Sequence, residues 1–201
     1  SRADPTLDAR LARWLADRGP HTPLVYVSTT GVYGDARGDV DEDTPVDRAP
    51  SSPRALERVT AEEHYRTKAG AVALRAAGIY GPGRGLHRRI LRGDFQLPGD
   101  GSNRVSRVHA HDLARAALAS LAALRAGSLA PGAVFVVADD APVPQREAVA
   151  WLCARLHKPM PPCVPVSEAP PTLRHDRRAR NGRVKSALGF SFDYPTYREG
   201  F

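Results

Sequence analysis

The sequence predicts an α/β protein built on a doubly wound parallel sheet, and three observations carry that prediction. Short runs of β-branched and other apolar residues at 24–28, 71–75 and 133–137 have the length and continuous hydrophobicity of strands covered on both faces. Segments with helical spacing of apolar residues lie between them, so strands and helices alternate along the chain. The first run also ends in three adjacent hydroxyl side chains, Ser28, Thr29 and Thr30, followed by the glycine turn Gly31-Val-Tyr-Gly34. Open α/β sheets bind ligands just beyond the carboxyl ends of their strands, which makes this end the first candidate site.

The elements follow in order. Asp4-Pro5 supplies an N-cap and a proline at the first helical position, Leu7, Leu11, Trp14 and Leu15 form one stripe, and Gly19-Pro20 ends the helix. After strand 24–28 comes a turn-rich acidic loop through Asp41-Glu-Asp-Thr-Pro45, whose carboxylates read as solvated. Ser52-Pro53 opens a second helix that runs to about Lys68, with Gly70 as its stop, and strand 71–75 follows. A short strand at 105–108 leads into a helix with Leu113, Ala117, Leu121 and Leu124 on one face, closed by Gly127. Strand 133–137 precedes a helix whose buried stripe is Val149, Leu152, Cys153 and Leu156. The proline-rich segment 159–165 and Pro170-Pro171 cannot be helix interior and read as a long surface loop.

Composition bounds the function classes. With 201 residues, 42% hydrophobic and 25% charged, the chain suits one or two globular domains. No run approaches the ~20 apolar residues that cross a bilayer and no secretory pattern opens the chain, so no membrane partner and a cytoplasmic location are the expectation. Cys153 and Cys163 form no Cys-x-x-Cys pair, and Cys153 with His157 shares a helix face without a third ligand, so no metal site is expected. The net charge is +7, yet 26 of the 29 basic residues are arginines spread along the chain. Residues 174–183 hold five arginines without interleaved aromatic platforms, so the cluster reads as a solvated loop and nucleic acid is not an expected partner.

Five segments together resemble a known family. The strand end Val27-Ser-Thr-Thr-Gly-Val-Tyr-Gly34, the acidic segment 41–45, Leu74-Arg-Ala-Ala-Gly-Ile-Tyr-Gly-Pro-Gly-Arg84, Arg107-Val-His-Ala-His-Asp-Leu-Ala114 and Asn181-Gly-Arg-Val-Lys-Ser-Ala-Leu-Gly189 are similar to the extended short-chain dehydrogenase/reductases, the NAD-dependent epimerase/dehydratase group. The resemblance implies a Rossmann-like sheet, NAD or NADP as cofactor, and a small-molecule substrate such as a sugar nucleotide. It divides the chain into the later part of a Rossmann-like domain at 1–140, with substrate-side loops at 81–104, and a small substrate-binding region at 141–201. Members open with a glycine-rich turn that receives the dinucleotide pyrophosphate, and no such strand-turn-helix occurs here. Gly81, Gly83 and Gly85 have the wrong spacing and an intervening proline. With Ser1 in place of an initiator Met, the expectation is a longer protein with about 80–90 further residues upstream.

The same resemblance locates the chemistry. Thr29 falls where the family places its active-site Ser or Thr, Ser28, Thr29, Arg58, Tyr80, Gly81 and Pro82 fall where it contacts cofactor, and Thr30, Arg84 and Arg178 are the substrate-side candidates. Members use a Tyr-x-x-x-Lys pair for proton transfer. Here its positions hold Arg54 and Arg58, and a guanidinium protonated above pH ~12 binds anions without exchanging protons near neutrality. This chain resembles the atypical members. Tyr65 and Lys68 share a helix face as an alternative pair, although a solvated helix end is the simpler reading. Asp112 at a helix start and His109 at a strand end read as structural. Two functions follow: an oxidoreductase or epimerase whose cluster 174–183 grasps the anionic part of the substrate, or a dinucleotide-binding sensor without turnover. The first helix and helix 52–68 resemble the pair through which members dimerise, implying a homodimer.

Overall fold

The computed structural model describes residues 5–19, 22–49 and 53–201. The expected caps Asp4 and Ser52 and the stop Pro20 lie outside them, as does the side chain of Arg54. The chain begins with α1 (Pro5–Ala16), β1 (Val25–Thr29), a 3-10 turn (Thr30–Tyr33), β2 (Gly38–Val40), α2 (Pro53–Ala69) and β3 (Val72–Ala76). It continues through β4 (Gly78–Tyr80), α3 (Leu86–Arg92), β5 (Leu97–Pro98), β6 (Arg104–Val105), β7 (Arg107–His109) and α4 (Ala110–Arg125). The remainder is β8 (Val134–Val137), β9 (Val143–Pro144), α5 (Gln145–Leu156), β10 (Cys163–Val164), β11 (Arg177–Ala179), α6 (Gly182–Leu188) and α7 (Tyr197–Gly200).

The three predicted apolar runs form one parallel sheet in the order β1-β3-β8, with Val27 opposite Leu74 and Leu74 opposite Phe135. Strand alternation gives the sheet two faces. Val72, Leu74 and Ala76 pack with Leu113 and Ala116 of α4 and Val184 of α6, while Tyr26 and Ser28 turn towards α2. Helices cover both faces, as the sequence predicts. Among the described residues strand β1 pairs only with β3, and its Val27 is 44% exposed. A separate core gathers Ile90, Phe95, Leu97, Val149, Leu152 and Cys153, which includes the predicted stripe of α5.

Four expectations need correction. Most of the α1 stripe faces outward, with Leu7, Leu11 and Trp14 exposed and only Leu15 packed inward, because close helix packing on α2 selects the small Ala12, fully buried beside Ala61. The strand at 105–108 is two strands, β6 antiparallel to β9 and β7 parallel to β4, since Ser106 breaks the pairing between them. The segment after Pro159 is not all loop, for Cys163 and Val164 pair in parallel with Leu97 and Pro98. The arginine cluster is not a solvated loop either: Arg177, Arg178 and Ala179 pair with Gly38, Asp39 and Val40 and close over the strand ends.

Candidate functional site at the strand ends

The hydroxyl row at the end of β1 is divided between two tasks. Thr29 Oγ1 accepts a hydrogen bond from Gly31 N at 3.0 Å and caps the 3-10 turn, which leaves the Thr29 hydroxyl proton free to donate. Ser28 is buried, and its Oγ donates to Glu62 Oε2 at 2.5 Å. The turn itself is clamped by Arg177, which donates to Thr30 O at 2.5 Å and Gly34 O at 2.9 Å. Gly34 has φ 57°, and a Cβ there would overlap the Asp47 side chain, so only glycine closes this turn.

Beneath the turn lies a fully paired polar network. Arg75 donates to Glu62 Oε1 through Nε at 3.1 Å and Nη2 at 2.8 Å, and through Nη1 to the Tyr33 hydroxyl at 3.1 Å. Tyr33 in turn donates to Asp41 O at 2.6 Å. Glu42, expected in solvent, is buried instead and accepts from Val136 N at 2.7 Å, and its burial pushes its carboxyl up. The cause is tertiary: β2 folds the acidic loop back across β8. Asp41 keeps the loop in shape by accepting from Asp43 N and Thr44 N, each at 3.0 Å.

Arg58 lies by the Tyr26 phenol on the α2 face, where its charge counteracts the rise in pKa that burial causes, and Tyr26 stacks on Tyr65 with ring centroids 4.7 Å apart. Tyr65 is buried rather than a solvated helix end, because α1 covers it and Asp8 accepts its hydroxyl at 2.9 Å. Burial and that carboxylate push the Tyr65 phenol up to about 12.

The second strand end carries Tyr80, Gly81, Pro82 and Arg84. Tyr80 is 2% exposed, stacks on Phe201 with centroids 4.3 Å apart, and donates to Thr196 O at 3.2 Å. Its burial raises its pKa, so it holds its proton at neutrality. Gly81 and Arg84 exchange backbone hydrogen bonds of 2.9 and 3.0 Å, which leaves Pro82 and Arg84 exposed at the tip of a tight turn. Arg178 pairs with Asp39 at 2.5 Å on the surface. His109 and Asp112 are structural, as expected. His109 Nδ1 caps α4 by accepting from His111 N at 3.3 Å, and the fully buried Asp112 accepts from Asp193 N at 3.0 Å and Tyr194 N at 2.9 Å.

Beside this loop, β4, β6, β7, α3 and α5 enclose a cleft of about 140 Å³ lined by Ile79, Tyr80, Leu86, Phe95, Arg107 and Gln145 among others. A larger hollow of about 770 Å³, lined by Leu24, Gly70, Gly127 and Pro131, opens at the amino ends of the strands, the wrong end for a ligand of an open α/β sheet. Arg107 is 5% exposed and sequence reasoning gave it no role; its one signal is a basic residue set between Val105 and Val108. Asp139 stands nearby, 2% exposed, its Oδ1 accepting from Ala141 N at 3.2 Å while Oδ2 has no partner. Burial pushes the Asp139 carboxyl up to about 7.

The comparisons agree with this geometry. The profile of the "NAD dependent epimerase/dehydratase family" matches residues 2–138. A "3-diazoavenalumate denitrifying reductase" of Streptomyces sp is 31% identical over 180 residues, covering 80% of this chain and 57% of its own length. A "2-alkyl-3-oxoalkanoate reductase" of Stenotrophomonas maltophilia is 31% identical over 149 residues, covering 68% of this chain and 45% of its own length. The solved structure of a functionally unknown conserved protein from Silicibacter pomeroyi superposes with a TM-score of 0.81 at 36% identity, over 99% of this chain and 71% of that one. The chain thus spans about three fifths or less of the curated relatives it matches. Among the described residues no helix is long and apolar enough to cross a membrane, and no group of side chains is arranged to hold a metal. The parallel sheet, its hydroxyl-bearing strand end and the profile match together place this chain in the NAD-dependent epimerase/dehydratase family.

Proposed function

We propose that the protein carrying this chain is an NAD(P)-dependent reductase that acts on a carbonyl or alcohol carbon of a small molecule at the carboxyl end of β1. The observation that carries this reading is the Thr29 hydroxyl, which accepts from Gly31 N and so keeps its own proton for a substrate oxygen. The residues fit one side of a dinucleotide site. A free hydroxyl ends β1, Gly81 leaves room beside His109, where a Cβ would approach Nε2 to 3.3 Å, and no glycine-rich phosphate turn is present in the chain. The cofactor, when bound, supplies or accepts the hydride. Thr29 would orient the reacting oxygen and stabilise the charge that develops on it. Ser28 would hold the strand end rigid through Glu62, while Arg58, Tyr80, Gly81 and Pro82 would shape the cofactor side. Thr30, Arg84 and Arg178 would border the substrate, whose binding region is the small core around α5.

The test is direct. Binding and oxidation of NADH and NADPH by the intact protein are measured against a panel of aldehydes, ketones, oxo acids and oxidised sugar nucleotides. Thr29→Val should lower kcat about 100-fold, the usual effect of removing one hydrogen-bond donor to the reacting oxygen, while Thr29→Ser keeps most of it. An unchanged kcat in Thr29→Val would overturn the assignment.

Arg54 and Arg58, at the positions of the family's tyrosine and lysine, favour a second reading, because the arginine at the tyrosine position cannot exchange protons near neutrality. Dinucleotide binding with no turnover on any panel member would make the protein a cofactor sensor. The exposed Leu11, Trp14 and Leu56 on α1 and α2 support a homodimer, which sedimentation of the intact protein checks.

A further inference from the structure

We infer that the cleft between β4, β7 and α5 is a carboxylate pocket, in which the Arg107 guanidinium receives the acid group of a small apolar acid and the surrounding rings take its hydrocarbon part. As a statement of substrate class this rests on the reductase reading; as a binding site it stands on geometry alone.

Arg107 is 5% exposed, and among the described residues its guanidinium forms no ion pair, only a bond to a backbone carbonyl. A buried cation without a counter-charge costs several kcal/mol, so a fold that keeps one has a use for an anion there. Burial lowers the pKa of Arg107, the response of a cation with too little compensation. Asp139, the acid that acts most strongly on Arg107, is itself pushed by burial towards its neutral form and leaves Oδ2 unbonded. The groups facing Arg107 from its other neighbours are Tyr80, Tyr197 and Glu147. Tyr197 presents its ring at 6.0 Å, and Glu147 is engaged at the surface by Arg198 at 3.5 Å and the Tyr197 hydroxyl at 3.2 Å.

Arg107 Nη1 donates to Val105 O at 2.9 Å, while Nε and Nη2 have no partner among the described residues. Gln145, 2% exposed on the same wall, accepts from Asn103 Nδ2 at 3.4 Å through Oε1 and leaves Nε2 without a protein partner among them. A guanidinium edge and an amide N–H are what a planar carboxylate accepts from.

Apart from Arg89, which pairs with Asp94 at 3.5 Å, the rest of the wall is largely apolar, with Ile79, Leu86, Phe95, Leu173 and Phe201, which suits a hydrocarbon rather than a sugar or a phosphate shell. The volume of about 140 Å³ is on the scale of a short-chain acid and far below that of a sugar nucleotide.

The experiment is calorimetric titration of the intact protein with pentanoate, pentanamide and inorganic phosphate. Pentanoate should bind at least about 10-fold tighter than pentanamide, the gain of a charge-assisted over a neutral hydrogen bond. Arg107→Met should bring pentanoate down to the level of pentanamide, and Arg107→Lys should keep part of the preference. If Arg107→Met does not fold, the comparison of acid and amide on the unaltered protein still decides. Equal binding of acid and amide, phosphate displacing pentanoate at equal concentration, or pentanoate binding unaltered in Arg107→Met would each overturn the pocket. NADH oxidation is followed in parallel. Turnover of neutral ketones without pentanoate binding defeats the pocket and leaves the reductase reading standing, whereas Arg107-dependent pentanoate binding without any turnover does the reverse.

Discussion

Arg75 and Arg107 are both buried arginines near the ends of parallel strands, yet their surroundings are opposite. Arg75 is 3% exposed and meets Glu62, the Tyr33 hydroxyl and, through Glu62, the Ser28 hydroxyl. Arg107 donates to one backbone carbonyl, has no ion-pair partner among the described residues, and lines a cleft. The first arrangement is closed and holds the hydroxyl-bearing end of β1 in place. The second is open and suits a ligand. Polar burial is thus complete around Arg75 and incomplete around Arg107.

The largest effect should separate these two arginines. Removing Arg75 leaves the Glu62 carboxylate buried with its cation gone, which typically costs about 3–5 kcal/mol. Arg107→Met removes a cation that has no close acid and places an apolar chain among apolar walls, so it should cost less than about 1 kcal/mol or stabilise. Urea midpoints of the Arg75→Met and Arg107→Met proteins check this. Equal losses would mean that Arg107 is as structural as Arg75 and would break the contrast.

The next effect depends on pH and belongs to the open cluster. Burial raises the Asp139 pKa from 3.8 to about 7. The folded state therefore holds this proton where the unfolded state has released it. The stability contribution is fully present below about pH 4, falls as pH rises to about 7, and is flat beyond. Asp139→Asn mimics the protonated side chain and retains an acceptor for Ala141 N, so its stability should not follow that decline. At pH 8 the variant should be more stable by on the order of 2–4 kcal/mol, and near pH 4 the two proteins should match. Denaturation midpoints across this range supply the curve. A difference that did not change between pH 4 and 8 would place Asp139 in solvent contact.

What the sequence made legible follows from how local each feature is. Strands β1, β3 and β8 are continuous apolar runs, and the stripe of α5 repeats at helical spacing, so both are readable within a few residues. Thr29 is readable because three hydroxyls directly after a buried strand put polar groups where the sheet stops and a ligand can reach them. The outward stripe of α1 is not, because an α-carbon approach selects Ala12 over larger neighbours and apolar counting favours the larger ones. Glu42 and Arg177 look solvated in a charge-rich context, and only the pairing of β2 with β11, separated by most of the chain, buries them. Arg107 is the extreme case. Its isolation is produced by α3, α5 and the β6 to β9 pairing converging around it, and no residue near it in sequence signals that closure.

Within the closed network the contrast can be sharpened further. Tyr33→Phe removes the hydroxyl that donates to Asp41 O at 2.6 Å and accepts from Arg75 at 3.1 Å, at a site where the ring is 2% exposed. The expected loss is about 1–3 kcal/mol, since a buried carbonyl and one guanidinium N–H lose a partner while Glu62 keeps its ion pair. The loss should be clearly smaller than for Arg75→Met, and the double variant should lose less than the sum, because the two share one network. Additivity would mean that the hydroxyl and the guanidinium act separately.

The smallest effect is expected on the surface, where the arginine count is highest. Arg178 pairs with Asp39 at 2.5 Å, but both side chains are 40% exposed and Arg180 pairs with the same carboxylate. Exposed pairs of this kind contribute about 0–1 kcal/mol, and the second arginine is already in place to hold Asp39 when the first is removed. Arg178→Ala should therefore leave the urea midpoint almost unchanged, and added salt should shrink even a small shift. If Arg178 instead borders the substrate, its removal shows in KM with no matching loss of stability, the reverse of the pattern expected for Arg75. A stability loss at Arg178 approaching that at Arg75 would show that the strand pairing of β11 with β2, not the buried network, carries the strand ends.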